Sequence, residues 1–267
     1  MTDISRLINY TSRIFYLSNI FIYELDIQKA NISVLYTKGV ISKEVYDKLW
    51  NAERMARQVF IGKLQKDPRI TTILQAGIAE AKQVLFEANQ LQPEEILAIK
   101  NDAVYIIGRC PAIRDFGNIH FIPKHVYTGY YRLQHLELYY FYNSVNQTEY
   151  LDVKGIADDK LPLHSAFFLQ FLKDLFYTVQ TQGVEIAIRL LKLYYNQYIQ
   201  RQLPIEHYRK FDFTSEFHYC VRTSIGTGFQ IDASSEDQKD LIDISYNLSL
   251  LIELQKILSH MYFEKFH

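Results

Sequence analysis

Two aspartates set into apolar, strand-like segments constrain this chain more than any other feature. The first lies in Tyr23-Glu24-Leu25-Asp26-Ile27-Gln28-Lys29-Ala30-Asn31-Ile32-Ser33-Val34-Leu35, and the second in Ala98-Ile99-Lys100-Asn101-Asp102-Ala103-Val104-Tyr105-Ile106-Ile107. An ionised carboxylate among apolar residues is costly unless it is solvated, paired or bound to a metal. Residues 20–27 alternate, placing Phe21, Tyr23, Leu25 and Ile27 on one face and Ile22, Glu24 and Asp26 on the other. Asp26 is therefore expected to point away from the more apolar side, with Glu24 beside it. Each aspartate also has a plainer explanation. Asp26 could cap the helix that follows, and Asn101-Asp102 is a favourable dipeptide for a tight hairpin turn.

The rest of the chain reads as α+β. A short helix is expected after Asp26, ending at Gly39, where a left-handed residue suits the helix C-terminus. Ser42 can cap the next helix, with Glu44 in its first turn. Residues 53–66 read as a helix carrying Arg54, Arg57, Lys63 and Lys66, with Pro68 breaking the run. Across 71–90, Leu74, Gly77, Ile78, Ala81, Val84, Leu85 and Ala88 recur at helical spacing. From the second aspartate to about 156 the pattern is β-rich, with separate strands at 104–107, 119–122, 126–132, 136–143 and 149–153. Beyond Asp158-Asp159 it turns helical, over 165–180, 184–202 and one or two helices in 236–264. Between these, 211–234 is irregular, with room for a small hairpin near Gly226 and Gly228. The expected plan is a mixed first domain over 1–157 and a mostly helical second over 158–267.

Composition limits the function. With 267 residues, 48% of them apolar, and a formal net charge of −1, the chain has enough apolar sequence for a large core. It lacks the basic excess of a non-specific nucleic-acid binder, so any nucleic-acid contact must come from local patches or a more basic partner. The 21 Tyr and 17 Phe are first of all core material. Two cysteines without a C-x-x-C pair, no signal peptide and no apolar run long enough to span a bilayer lead us to expect a cytoplasmic protein with no membrane contact. The eight histidines show neither H-x-x-x-H nor H-E-x-x-H spacing, and Gly226-Thr227-Gly228 lacks the rest of a phosphate-binding loop.

In order and spacing, residues 20–210 resemble the palm and thumb of family B DNA polymerases. Asp26-Ile27-Gln28-Lys29-Ala30-Asn31-Ile32-Ser33-Val34 is similar to their first palm motif, D-x-x-S-L-Y-P-S-I, with Asp26 and Ser33 matching and Asn31 in place of the sugar-screening aromatic. Lys100-Asn101-Asp102-Ala103 is similar to the D-T-D-S hairpin, with Asp102 on the metal-binding second aspartate and Lys100 on the first. Arg54-x-x-Arg57-Gln58-x-x-Ile61-Gly62 resembles the fingers pattern K-x-x-x-N-S-x-Y-G, with Arg54 on the phosphate-binding lysine. Tyr150-Leu151-Asp152-Val153-Lys154-Gly155-Ile156 resembles the strand that enters the thumb, and the helices around Leu203-Pro204-Ile205 fit the thumb itself.

The resemblance implies a palm-like antiparallel sheet with packed helices, short fingers-like helices at about 40–66, and a thumb-like helical part. It implies that Asp26 and Asp102 are catalytic metal ligands for two Mg²⁺ (or Mn²⁺) ions. Arg54, with Arg57 or Lys63, would clamp a nucleoside triphosphate, Lys100 would meet that triphosphate or weaken a metal, and Lys154 would hold the primer strand. The reaction would be template-directed nucleotide addition on primer–template DNA, with RNA the alternative. Family B polymerases carry several hundred residues before their first palm motif, against 25 before Asp26 here, so a second subunit is expected to supply missing domains. The drift at Lys100, Asn31 and Ile61 supports a second expectation, a non-catalytic nucleic-acid-binding or scaffold subunit of a replication or transcription complex.

Overall fold

The β-hairpin around Asp102 anchors the first of two compact units. The structure is a computed structural model that describes residues 7–133, 136–154, 166–204, 207, 219–222, 228–231 and 236–264. Unit one comprises Met1–Ile14 and Ile20–Tyr127, and unit two comprises Phe15–Asn19 and Thr128–His267. The change of character expected at 157/158 falls in a segment outside the described residues.

In unit one, strands β1 (Asn9–Thr11), β2 (Tyr16–Ile27), β3 (Ile96–Lys100), β4 (Ala103–Ile107) and the first part of β6 (Ile119–Leu133) run in the order β1-β3-β4-β2-β6, with β5 (Asp115–Phe116) paired to β6. The pairings β1–β3, β3–β4 and β2–β4 are antiparallel. Helices α1 (Ala30–Thr37), α2 (Lys43–Asn51), α3 (Arg54–Leu64) and α4 (Pro68–Asn89) follow β2. Leu25, Ile27, Ile99, Val104 and Ile106 share a core with Ile32, Val34, Leu74, Ala81 and Leu85 of α1 and α4. Burying each of the Val, Leu and Ile side chains among them contributes about 1.5–3 kcal/mol.

Local chemistry sets the helix ends. Gly39 takes φ 68 just past α1, and Ser42 accepts a hydrogen bond from the Val45 N–H at the start of α2. Pro68 does stop the preceding run, but as the opening residue of α4, where Asp67 caps the Arg69 N–H. Gly77 lets α4 press onto α1, because a Cβ there would lie 2.3 Å from Val34 Cγ1.

Two strand expectations are corrected. The strands expected at 119–122 and 126–132 are one strand, β6, because Pro123 falls where residues 122–125 are exposed and no ladder bond is demanded of it. In β2 the expected apolar face is not the only buried one. Phe21 is 53% exposed, whereas Ile22 and Glu24 on the opposite face are buried.

In unit two, the second part of β6, β7 (Leu136–Asn143) and β8 (Thr148–Lys154) form an antiparallel meander. Helices α5 (Ala166–Thr181), α6 (Val184–Ile199) and α7 (Glu236–Glu264) supply the rest of its core, and the last region is one helix rather than two. Tyr131 stacks on Phe176 with ring centroids 3.9 Å apart, and Phe171 on Tyr194 at 3.6 Å. The small hairpin expected in 211–234 is present as β9 (Tyr219–Arg222) against β10 (Gly228–Ile231).

Candidate active site

Asp26 and Asp102 meet at one end of the unit-one sheet. Asp26, next to last in β2, pairs with Ala103, and the Ile27 N–H donates to the Asp102 carbonyl at 3.3 Å. Lys100 pairs with Ala103, so β3 and β4 are joined by a two-residue turn, Asn101-Asp102, with Asn101 at φ 53. The turn chemistry and the juxtaposition with Asp26 are thus two aspects of one arrangement. Asp26 does not cap α1. That position belongs to Lys29, at φ 49, with no side-chain cap.

The electrostatics around the pair are mixed. Burial pushes the Asp102 carboxyl above the ordinary carboxylate range, and the negative charge of Asp26 adds to the shift. Lys124, from β6, places its ammonium 2.9 Å from Asp26 and 3.7 Å from Glu24. Its pKa is raised, first by the hydrogen bond to Asp26, and its charge also reaches Asp102. Glu24 is buried and accepts a 2.7 Å hydrogen bond from the Tyr127 hydroxyl. Beneath the turn, the fully buried Lys82 of α4 donates to the carbonyls of Leu7 and Asn101. Burial pushes its pKa down to about 8, against the favourable charge of Asp102.

The other expected residues divide. Lys100 pairs across from Ala103, whose other neighbour is Asp26, which puts Lys100 on the face of Asp26 two strands away, about 10 Å between Cα atoms. Its ammonium donates to the Thr11 hydroxyl at 3.0 Å. Arg57 turns back to the Ala52 carbonyl. Its charge also reaches Lys29, whose pKa is lowered by burial and then by Arg57. Lys29 in turn donates to the Trp50 carbonyl and lies 4.3 Å above the Trp50 ring. The end of α2 is thus tied by Lys29 to the chain just beyond Asp26. Arg54 and Lys63 are exposed on α3, and no hydrogen bond or ion pair among the described residues links them to either aspartate. Lys154 forms an ion pair with Asp152 at 2.8 Å in unit two.

Three residues around the pair have no role in the sequence pattern alone. Glu24 is expected beside Asp26, but its bond to Tyr127 is a product of the fold. Lys82 had a readable signal, a lysine at helical spacing between Ile78 and Leu85 in an otherwise apolar stripe. Lys124 follows Pro123 in a polar gap between two strand-like runs, where spacing gives no hint.

Residues 1–260 match the family model of the bacteriophage PBS1 gene 130 protein. The chain belongs to that family. No curated protein matches it. The family's description names a phage gene product and no activity, so the chemistry has to be argued from the residues. Among the described residues there is no group of three or more His, Cys, Asp or Glu side chains able to hold a metal. No helix of the described residues is long and apolar enough to cross a membrane.

Proposed function

We propose that this chain is the palm-like part of a nucleotidyl-transfer assembly, acting on a primer–template with a partner chain. Asp26 and Asp102 are its ligands for Mg²⁺ or Mn²⁺. The observation that carries this reading is the meeting of the two aspartates, 76 positions apart, at a strand end and the adjoining hairpin turn. The donor set suits the metal. Mg²⁺ takes hard oxygen ligands, keeps several waters, and is commonly held by one or two carboxylates together with substrate phosphates. Two carboxylates, one partly exposed and one half-buried, match that pattern better than they match the closed ligand set of a structural zinc.

Divalent metal there would neutralise a triphosphate and activate an attacking hydroxyl. The protein's own residues set what surrounds it. Lys124 balances the carboxylates until a more highly charged cation displaces it. Lys100, whose ammonium donates to the Thr11 hydroxyl, adds positive charge on the same sheet face, where it would attract substrate phosphates. Lys29, through the Trp50 carbonyl and ring, holds the end of α2 close to the end of the Asp26 strand, and Arg57 braces the α2–α3 connection at the Ala52 carbonyl. Arg54 and Lys63, on the exposed surface of α3, would meet the triphosphate, and Lys154 would meet nucleic acid by exchanging its ion pair with Asp152 for a phosphate.

A second reading is favoured by one observation. Lys124 already supplies a positive charge between Asp26 and Glu24, which suits a non-catalytic descendant that binds nucleic acid or scaffolds a replication or transcription complex. Primer extension separates the two. The protein, alone and with the partner recovered from its natural source, is supplied with a labelled primer–template, nucleotides and Mg²⁺ or Mn²⁺. Incorporation that disappears in Asp26→Ala and Asp102→Ala supports the catalytic reading. Absence of incorporation under every condition, with primer–template binding unchanged by both substitutions, establishes the second.

A further inference from the structure

Lys82 is a buried cation whose bonds all end on backbone. It lies on the face of α4 that also carries Ala81 and Leu85, yet it is fully buried, and its ammonium donates to the carbonyl of Leu7 and, at 3.3 Å, to that of Asn101. The Asn101 N–H donates to the Ile8 carbonyl at 2.9 Å. The turn between β3 and β4 is therefore tied on one side to residues 7–8 and on the other, through Lys82, to α4. Burying an ammonium is costly, and an apolar side chain would serve the helix core better. What the lysine provides is a link between the Leu7 carbonyl and that of Asn101, the residue preceding Asp102.

We infer that Lys82 is a positioning residue, holding the Asn101-Asp102 turn so that the Asp102 carboxylate stays beside Asp26. Its effect on metal binding rests on the proposed role of the aspartate pair. Its effect on the turn does not. Residues that orient metal ligands commonly change metal affinity tenfold to a hundredfold when removed.

The test has two arms on the full chain. Hydrogen exchange at the Asn101 amide reads the turn directly. Wild type should be protected there, Lys82→Met should exchange at least tenfold faster at that amide while the β6–β7 amides are unchanged, and Lys82→Gln, which keeps one donor, should fall between. Mn²⁺ titration followed by electron paramagnetic resonance reads the site. Lys82→Met should weaken binding by about tenfold or more, and should have no further effect in an Asp102→Asn background. Rapid exchange at Asn101 in wild type, or Lys82 variants indistinguishable from wild type at that amide, overturns the inference. So does equal Mn²⁺ affinity in wild type and Lys82→Met. A wild-type protein that binds no Mn²⁺ removes the metal centre, and the exchange arm then decides Lys82 alone.

Discussion

The two units bury different chemistry. Unit two fills its core mostly with rings and aliphatic chains, and its buried carboxylate, Glu137, accepts from the Tyr139 hydroxyl at 3.0 Å. Tyr131, Phe176, Leu175, Leu191 and Leu254 are all at or below 3% exposure, and the closest ring pairs are stacked nearly parallel. Unit one has an equally apolar core between α1, α4 and the sheet, but also buries Glu24 and Lys82 close to the Asp26–Asp102 pair. Packing accounts for most of the first arrangement. The second spends stability on charged groups that must be solvated by protein, since an unpaired buried charge costs several kcal/mol. In unit one that cost falls at the end of the sheet where the proposed site lies.

If that contrast is right, the largest stability loss comes from the unit that has no proposed site. Phe176→Ala should destabilise unit two by about 3–5 kcal/mol, as deletion of a fully buried ring does. Urea unfolding checks this, and Mn²⁺ affinity should stay within twofold of wild type. A loss below about 1 kcal/mol would mean the aromatic core is not the structural element described here. Tyr127→Phe comes next. It removes the hydroxyl that donates to Glu24 and leaves a buried carboxylate one donor short, at a cost of about 1.5–3 kcal/mol. The same double substitution with Glu24→Gln should cost less than the two separate losses added together.

Much of the fold was legible in the sequence, for reasons that can be named residue by residue. Gly39, Ser42 and Pro68 carry local signals that act within one or two turns of backbone, so they mark real helix boundaries. The two aspartates were legible because a charge inside an apolar strand is unusual on its own. What escaped was non-local. The continuity of β6 through Pro123 depends on that residue being exposed, which no local pattern reveals. Lys124 reaches Asp26 across 98 positions of chain, and its role is a product of strand pairing. Lys82 broke the apolar pattern of α4, but only the fold shows that its ammonium ends under the Asp102 turn.

The pH dependence of stability sharpens the contrast without any ligand. Burial raises the Asp102 pKa above its unfolded value, near 3.9. The folded state then holds the proton more tightly than the unfolded state. Its contribution is fully present below about pH 3.9 and is lost as pH rises through the folded-state value. Asp102→Asn removes this dependence. In metal-free buffer, the variant should gain stability relative to wild type as pH rises from 3.5 to 7. A difference that is flat, or that runs the other way, would mean that Lys124 and Lys82 outweigh burial at this carboxylate.

Lys124→Met gives the smallest stability effect and the sharpest reading of the site. The lysine side chain is about half exposed (49%), so its ion pair with Asp26 is screened and worth about 0.2–1 kcal/mol. Its methionine replacement should therefore unfold within about 1 kcal/mol of wild type. If the ammonium competes with a divalent cation for the carboxylates, Mn²⁺ should bind the variant more tightly than wild type, by about tenfold for each 1.4 kcal/mol of competition removed. If Lys124 instead completes a site that no longer takes metal, removing it leaves Glu24 and Asp26 unbalanced. Stability then falls by more than about 1 kcal/mol, beyond what an exposed pair is worth, and no Mn²⁺ binding appears. Unfolding and Mn²⁺ titration of the one variant thus separate a site that awaits its cation from one that already contains it.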